Sequence, residues 1–429
     1  MKSRRMIHAA GALLTPLAVV AALALSAGAA SASVAGHHHQ SSVRYVSKQA
    51  RWSNADRSCR SAAFKTIQSA INAAPAWGTV VVCGGVFHEQ VVVAKPLSLQ
   101  GRHAAIDEAH VTPTLVVNPP GVGPLTIFAG VVILSSHVDI SGFKVRNADG
   151  EGILAAGVDG TIHDISIARN AVVHNDLGGG VPPASPYFEC AAQGQIPGDC
   201  GEGIHLLSVA QSTVRANFIS GNSGGVLLTD ETGPTDHNLV EANLITKNAS
   251  DCGITLPGHN PNALSSSGQR QPSVAGVYDN VIRNNKVTDN GLKGEGAGVL
   301  FANAGPGTAS YNNLVEGNYI AGNELAGVTL HAHTLGPGQF EDLSGNTVVR
   351  NVIGTNNIGG DPLDSPASPE DLQTTGVLVF SGGTPVAITI AHNVIFDNEI
   401  GIWLSKPVTA RGLRTNSFSD VATKISAGN

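Results

Sequence analysis

The sequence predicts an all-β fold, a solenoid of stacked parallel coils, and three observations carry that expectation. The pattern Asn-x-φ-x-x-Asn, with φ aliphatic, recurs seven times: Asn170/Asn175, Asn217/Asn222, Asn243/Asn248, Asn285/Asn290, Asn318/Asn323, Asn351/Asn356 and Asn393/Asn398. Each pair is followed, after a variable gap, by Gly-φ-x-φ, as in Gly225-Val226-Leu227-Leu228 and Gly401-Ile402-Trp403-Leu404. An Ile or Val stands three residues before each first Asn, from Ile167 to Ile390. First-to-first spacings are 47, 26, 42, 33, 33 and 42 residues. A fixed core with variable inserts is one unit repeated, with loops of different length leaving it. Each unit holds three short strands and three corners.

The elements follow in order along the chain. Lys2, Arg4 and Arg5 precede an apolar stretch over 9–25 and then small residues, the pattern of a secretory signal peptide. Cleavage after Ala32 or after Ala35 fits the small-x-small rule, which makes 1–35 the leader and the protein secreted or extracellular; the Arg4-Arg5 pair is compatible with twin-arginine export. No later stretch is apolar for long enough to span a bilayer. Residues 36–55, polar and carrying His37-His38-His39, read as a flexible linker, and 56–429 as the solenoid. Phe64, Ile67, Ala70, Ile71 and Ala74 have helical spacing and Pro75 stops it, which predicts a short helix capping the open end of the first coil. Strand signals begin over 79–83, 90–93 and 97–99. In the repeats, alternation places Val226 and Leu228 inward, and Leu227 and Thr229 outward. Asn suits the corners because it tolerates left-handed backbone, and stacked amides bond to one another in a ladder.

Composition limits the partners. The precursor has 25 basic and 32 acidic side chains, and loss of the leader leaves 22 against 32. An acidic chain without a basic run is a poor match for nucleic acid or an anionic membrane surface. A polyanionic ligand needs a bridging cation or a local basic pocket. Nearest-neighbour pairing of the five cysteines gives Cys59–Cys83 and Cys190–Cys200, leaving Cys252 over, although sequence alone does not fix the connectivity. A monomer is expected.

The Asn/Gly repeats resemble the right-handed parallel β-helix superfamily. The opening segments over 66–75, 80–89 and 95–101 resemble those of several of its members, including periplasmic NosD-type proteins, pectin methylesterases and other polysaccharide-active proteins. The resemblance covers nearly all of the mature chain and implies the fold. It carries over no catalytic set: the Asp-Phe-Ile-Phe-Gly strand of pectin methylesterases, the Asp-Asp pair of polygalacturonases and the Asp-Pro-His-Glu motif of alginate epimerases are absent, with Gly258-His259-Asn260 and Asp361-Pro362-Leu363-Asp364 as partial matches.

Insert lengths supply the candidate site. Loops after Leu228, Leu256, Phe301 and Leu330 are long on four consecutive coils, so they emerge side by side as a wall about 15 Å long. The expected catalytic group is Asp230, Glu231 and His259, a carboxylate beside an imidazole for general acid–base work, with Ca2+ as the cofactor such carboxylates hold. Expected substrate contacts are Arg270, Asn303, His331, His333 and Trp403, the last in an outward apolar strip with Leu300, Leu378 and Phe380. Cleavage after Ala35 would leave Gly36-His37-His38 as an N-terminal Cu(II) or Ni(II) chelate. Three functional readings follow: binding or processing of an extracellular polysaccharide (by a lyase, hydrolase or epimerase if catalytic), a non-catalytic envelope scaffold, or a NosD-like metal-handling accessory.

Overall fold

The computed structural model describes residues 42–50, 56–118, 124–176, 201–293, 296–333, 335–358 and 373–427. The leader, His37-His38-His39, Cys190 and Cys200 lie outside them. Strands one coil apart pair in parallel and in register, in three rows. The first row precedes the first Asn of each pair and includes Ile165–Ala168, Thr213–Arg215, Leu239–Glu241, Val281–Arg283 and Leu314–Glu316. The second follows that Asn: Ala171–Val173, Phe218–Ser220, Leu244–Thr246, Lys286–Thr288, Tyr319–Ala321 and Val352–Ile353. The third carries Gly-φ-x-φ: Glu151–Ala156, Ile204–Leu207, Val226–Thr229, Ile254–Gly258, Val299–Asn303, Val328–Ala332 and Thr375–Ser381. A short extra row, Thr235–Asp236, Val277–Tyr278 and Ser310–Tyr311, stacks where the inserts leave the third row.

The repeat pattern has a steric explanation. Val172, Ile219, Ile245, Val287, Ile320, Ile353 and Ile395 form one fully buried column inside the coils. Each such side chain contributes roughly 1.5–3 kcal/mol by leaving water. The glycines that open the third-row strands face this column. A Cβ at Gly203 would stand 2.4 Å from Ile219 Cγ2, and one at Gly253 would stand 2.2 Å from Val287 Cγ1. Gly and φ are therefore two halves of one contact, which fixes their co-occurrence in every unit.

The asparagines form continuous ladders. Asn217 Nδ2 donates to Asn243 Oδ1 (3.1 Å), Asn243 to Asn285 (3.0 Å) and Asn285 to Asn318 (3.0 Å). A second ladder runs through Asn175, Asn222, Asn248, Asn290 and Asn323. A third, not anticipated from sequence, links Asn238, Asn280, Asn313 and Asn346. These four stand five residues before Asn243, Asn285, Asn318 and Asn351, so the same Asn-x-φ-x-x-Asn spacing also marks the preceding corner. The conformational reason given for Asn needs correction. The left-handed residue is the one before it, such as Ala216 (φ 54°), Ala242 (φ 55°) and Lys247 (φ 58°). Asn is selected for its amide, which bonds to both neighbouring coils.

The capping helix forms as Ile67–Ala73, with Ile67, Ala70 and Ile71 buried. Glu89 accepts from the Ile67 and Gln68 amides at 2.8 and 3.0 Å, placing a carboxylate on the unpaired N–H groups and positive dipole end of the first turn. The segment expected as a linker contains the first strand, Val43–Val46, which pairs with Gly78–Val82 and buries Val46. Its backbone pairs with the open edge of the first full coil, Thr79 N donating to Ser42 O at 2.8 Å and Cys83 N to Val46 O at 2.9 Å. Cys59 and Cys83 are disulfide-bonded with Cα atoms 5.7 Å apart, and Cys252 is a buried free thiol.

Candidate functional site

The long inserts do form one wall, since loops from successive coils bond to one another. Leu264 N donates to Gly307 O at 2.8 Å and Gly307 N to Phe340 O at 2.7 Å. Within the wall His259 Nδ1 lies 2.8 Å from Glu231 Oε1, so the expected imidazole–carboxylate pair exists. Its geometry, however, is that of an anchor. Asp230 is fully buried and accepts from the backbone amides of His259 (2.7 Å), Asn260 (3.1 Å) and Gly276 (2.7 Å), tying the neighbouring insert down. Burial outweighs these donors and pushes its carboxyl up to about 7. For Glu231 burial acts upward too, but the His259 hydrogen bond and charge prevail and hold it below the ordinary carboxylate range. The His259 and Glu231 side chains are only 8% and 11% exposed. One carboxylate oxygen of the pair, Glu231 Oε2, lacks a partner, whereas Ca2+ takes six to eight oxygen ligands.

The expected contact residues are likewise used internally. Arg270 bonds Asp342 at 2.6 Å, donates to Ser344 O and lies 3.9 Å above the Tyr311 ring, which stacks on Tyr278. Asn303 is buried. His331 and His333 approach to 5.0 Å between ring centroids because the strand Val328–Ala332 ends between them, and His333 Nδ1 meets Glu341 at 3.2 Å. Trp403 is not outward and free. It packs in a buried cluster with Ala326, Leu378 and Ile400, against which Phe380 lies. Thr229, expected outward, is also buried, as are Thr255 and Thr329 further along the third row. Alternation identifies which side of a strand a residue takes, but not whether something covers that side.

Two features were not singled out from the sequence. The first is a buried polar group on the third row, where His205 bridges Glu151 (3.0 Å) and the Thr229 hydroxyl (2.8 Å), with Glu202 beside them. The available signal was His205 at the x of Gly-φ-x-φ, where the following units have Leu227, Thr255, Leu300, Thr329 and Leu378, none of them ionisable.

The second is an exposed line on the second row. In-register pairing sets Lys144, Ala171, Phe218, Leu244, Lys286, Tyr319, Val352 and Val394 one behind another. Phe218 and Tyr319 are 42% and 41% exposed, and Leu244, Val352 and Val394 are comparable. An open depression of about 530 Å³ at the N-terminal end of this line is lined by His103, Lys144, Arg169 and Phe218, among others. Among the described residues neither Lys144, Arg169 nor His103 is within ion-pair distance of a carboxylate. Alongside, Glu241 bridges Arg215 and Arg283, with contacts of 3.1 and 2.9 Å. The signal in sequence was the residue after each first Asn, which is large and apolar in five of the seven units.

Residues 259–418 match the family model of the right-handed β-helix region. The chain has the right-handed parallel β-helix fold. Residues 134–326 also match the family model described as periplasmic copper-binding protein NosD. No curated protein matches the sequence. Among solved structures, the Dettilon tailspike protein is similar, with 16% identity and a TM-score of 0.51 over 90% of this chain and 68% of its own. The alginate lyase from Paenibacillus sp. str. FPU-7 gives 12% and 0.44 over 83% and 95%. The mannuronan C-5 epimerase A-module of Azotobacter vinelandii gives 14% and 0.38 over 84% and 90%. These likenesses are in fold. No helix among the described residues of this β-helix is long and apolar enough to cross a membrane.

Proposed function

We propose that this protein is an exported β-helix that binds an acidic polysaccharide along its second row. The observation that carries this reading is the open depression in which Lys144, Arg169 and His103 stand unpaired beside the exposed Phe218 ring. An acidic chain repels a polyanion overall, so the free cations Lys144 and Arg169, with the His103 ring as a further polar contact, beside a stacking ring are the arrangement such a ligand requires. The in-register line extends this contact. Phe218 to Val394 spans five coil steps, about 24 Å, long enough for several sugar rings. Asp230, Glu231 and His259 serve here as the internal frame of the insert wall, so binding rather than cleavage is the favoured activity. The test is titration calorimetry with polygalacturonate, alginate and a neutral glucan, alongside assays for reducing ends and unsaturated products. Salt-sensitive binding to the polyuronates alone is expected. Absence of binding to any acidic polysaccharide refutes the reading.

A second reading, an envelope scaffold, draws on the C-terminal half of the line, where Val352 and Val394 are aliphatic and exposed. Such side chains fit a protein surface better than a sugar ring. Loss of capture of an envelope protein in Val352→Lys, with glycan binding absent, would favour it.

A further inference from the structure

The buried group on the third row has a charge balance that the coil does not explain. Glu151 opens the strand Glu151–Ala156, Glu202 precedes Gly203, and His205 sits in the next coil's Ile204–Leu207. All three are buried, with 0–1% exposure, and their ligating atoms lie within 4.8 Å of one another. His205 Nδ1 is 3.0 Å from Glu151 Oε1, while its Nε2 is 2.8 Å from the Thr229 hydroxyl. The second Glu151 oxygen, Oε2, is buried with no hydrogen-bond partner. A buried carboxylate oxygen left in this state has lost its hydration with no hydrogen bond to replace it, which destabilises the fold unless a cation fills the gap. Asp251, two coils beyond Glu202, adds acidity, because a Cβ placed on Gly224 in the intervening coil would lie 3.1 Å from Glu202 Oε1 and 3.3 Å from Asp251 Oδ2.

We propose that Glu151, Glu202 and His205 form a buried site for a divalent first-row transition ion of the Zn2+ type. The ion would bind Glu151 through the orphaned Oε2, Glu202 through its carboxylate, and His205 through Nδ1. Thr229 supplies the outer support that metal-bound imidazoles require. With Nε2–H donated to the Thr229 hydroxyl, the Nδ1 lone pair faces the carboxylates, an arrangement that a cation makes favourable. Tetrahedral donors about 2.1 Å from one ion stand about 3.4 Å apart, so groups that now lie within 4.8 Å of one another close by at most about 1.4 Å when the ion binds. The donor set argues against Ca2+, which prefers six to eight oxygens, and against soft Cu(I), which prefers sulfur. Because the site joins two successive coils and is closed to solvent, the ion acts as a structural clamp taken up on folding. It lies on a different row from the proposed glycan face and does not depend on it.

The alternative is the other imidazole tautomer, with Nδ1–H donated to Glu151, Nε2 accepting from Thr229 and no ion present. The two are separated in full-length, untagged protein carrying His37→Ser, His38→Ser, His39→Ser and His163→Gln, which removes the histidine run at 37–39 and breaks up the exposed group of His137, His163 and Asp164. After equilibration with Zn2+ and exhaustive dialysis, metal content is measured by plasma mass spectrometry, melting by calorimetry, and the metal shell by X-ray absorption. Expected are about one zinc per chain, a nitrogen/oxygen shell without sulfur, and a melting temperature lowered by a strong chelator. Glu151→Gln, nearly isosteric, should lower zinc retention at least tenfold. A chain that retains no zinc and melts identically with and without chelator overturns the proposal. So does a sulfur-containing shell, which would point to Cys252, or undiminished zinc in folded Glu151→Gln. If Glu151→Gln does not fold, the measurements on the unsubstituted site still decide.

Discussion

Replacing Asn243 by alanine tests the amide ladder at its centre. Asn243 Oδ1 accepts from the Asn217 backbone amide at 2.9 Å and from Asn217 Nδ2 at 3.1 Å. Its Nδ2 donates to Val214 O at 2.9 Å and to Asn285 Oδ1 at 3.0 Å. Alanine removes all four bonds. Asn285 Oδ1 keeps the Asn243 backbone amide as a donor, and Asn217 Nδ2 keeps Ile167 O. Three losses remain: the Asn217 N–H, one Asn217 side-chain proton and the Val214 carbonyl, all in the buried corner. At roughly 1–2 kcal/mol per deprived buried group, the expected loss is about 3–6 kcal/mol. Asn243→Asp keeps the acceptor for Asn217 but turns an oxygen toward Val214 O and Asn285 Oδ1, so it should be at least as damaging at neutral pH. Asn262, on an exposed loop with its side chain bonded to Asn260, is the control, and its alanine variant should stay within about 0.5 kcal/mol. Urea unfolding followed by circular dichroism gives the differences from the midpoints. A loss below about 1 kcal/mol for Asn243→Ala would refute the account, because the ladder would then be geometric only.

Three further outcomes follow. Glu108 is buried with both carboxylate oxygens unpartnered, and burial, aided by Asp149, pushes it up to about 8. Its folded pKa exceeds its unfolded one, so its contribution is present in acid and is lost as pH rises from about 4 to about 8. Glu108→Gln should abolish that part of the decline in melting temperature, and an unchanged slope would count against the assignment. Ala242 is exposed with φ 55°; Ala242→Gly removes a strain of about 1–2 kcal/mol against an entropic cost of roughly 0.5–1 kcal/mol, so calorimetry should show slight stabilisation, and marked destabilisation would contradict this. Arg169→Ala and Phe218→Ala should each weaken polyuronate binding about five- to tenfold, roughly 1 kcal/mol apiece, with a reduced salt dependence for Arg169→Ala only.

The fold was legible because its causes are local and repeated. Each coil needs a small residue opposite an aliphatic one and an amide at the corner, and both demands recur at every unit, as Gly253 with Val287 and as Asn243 between Asn217 and Asn285. The third ladder follows the same rule, and Asn238, Asn280, Asn313 and Asn346 stood in the sequence at the same spacing. The insert wall was legible for the same reason, since in-register stacking turns loop lengths into neighbours. What those loops do to the side chains was not. Alternation put Thr229 and Trp403 on the outer side of the third row, and only the packing of elements distant in sequence decided that this side is buried. That burial turns Asp230 from a candidate base into a loop anchor. It also brings Glu151, Glu202 and His205 together from adjoining coils, leaving the second row as the face open to a ligand. A repeat fixes the periodic, short-range contacts in advance. Burial and charge at an irregular position are set by which non-repeating segment lies over it, and that is a property of the tertiary structure alone.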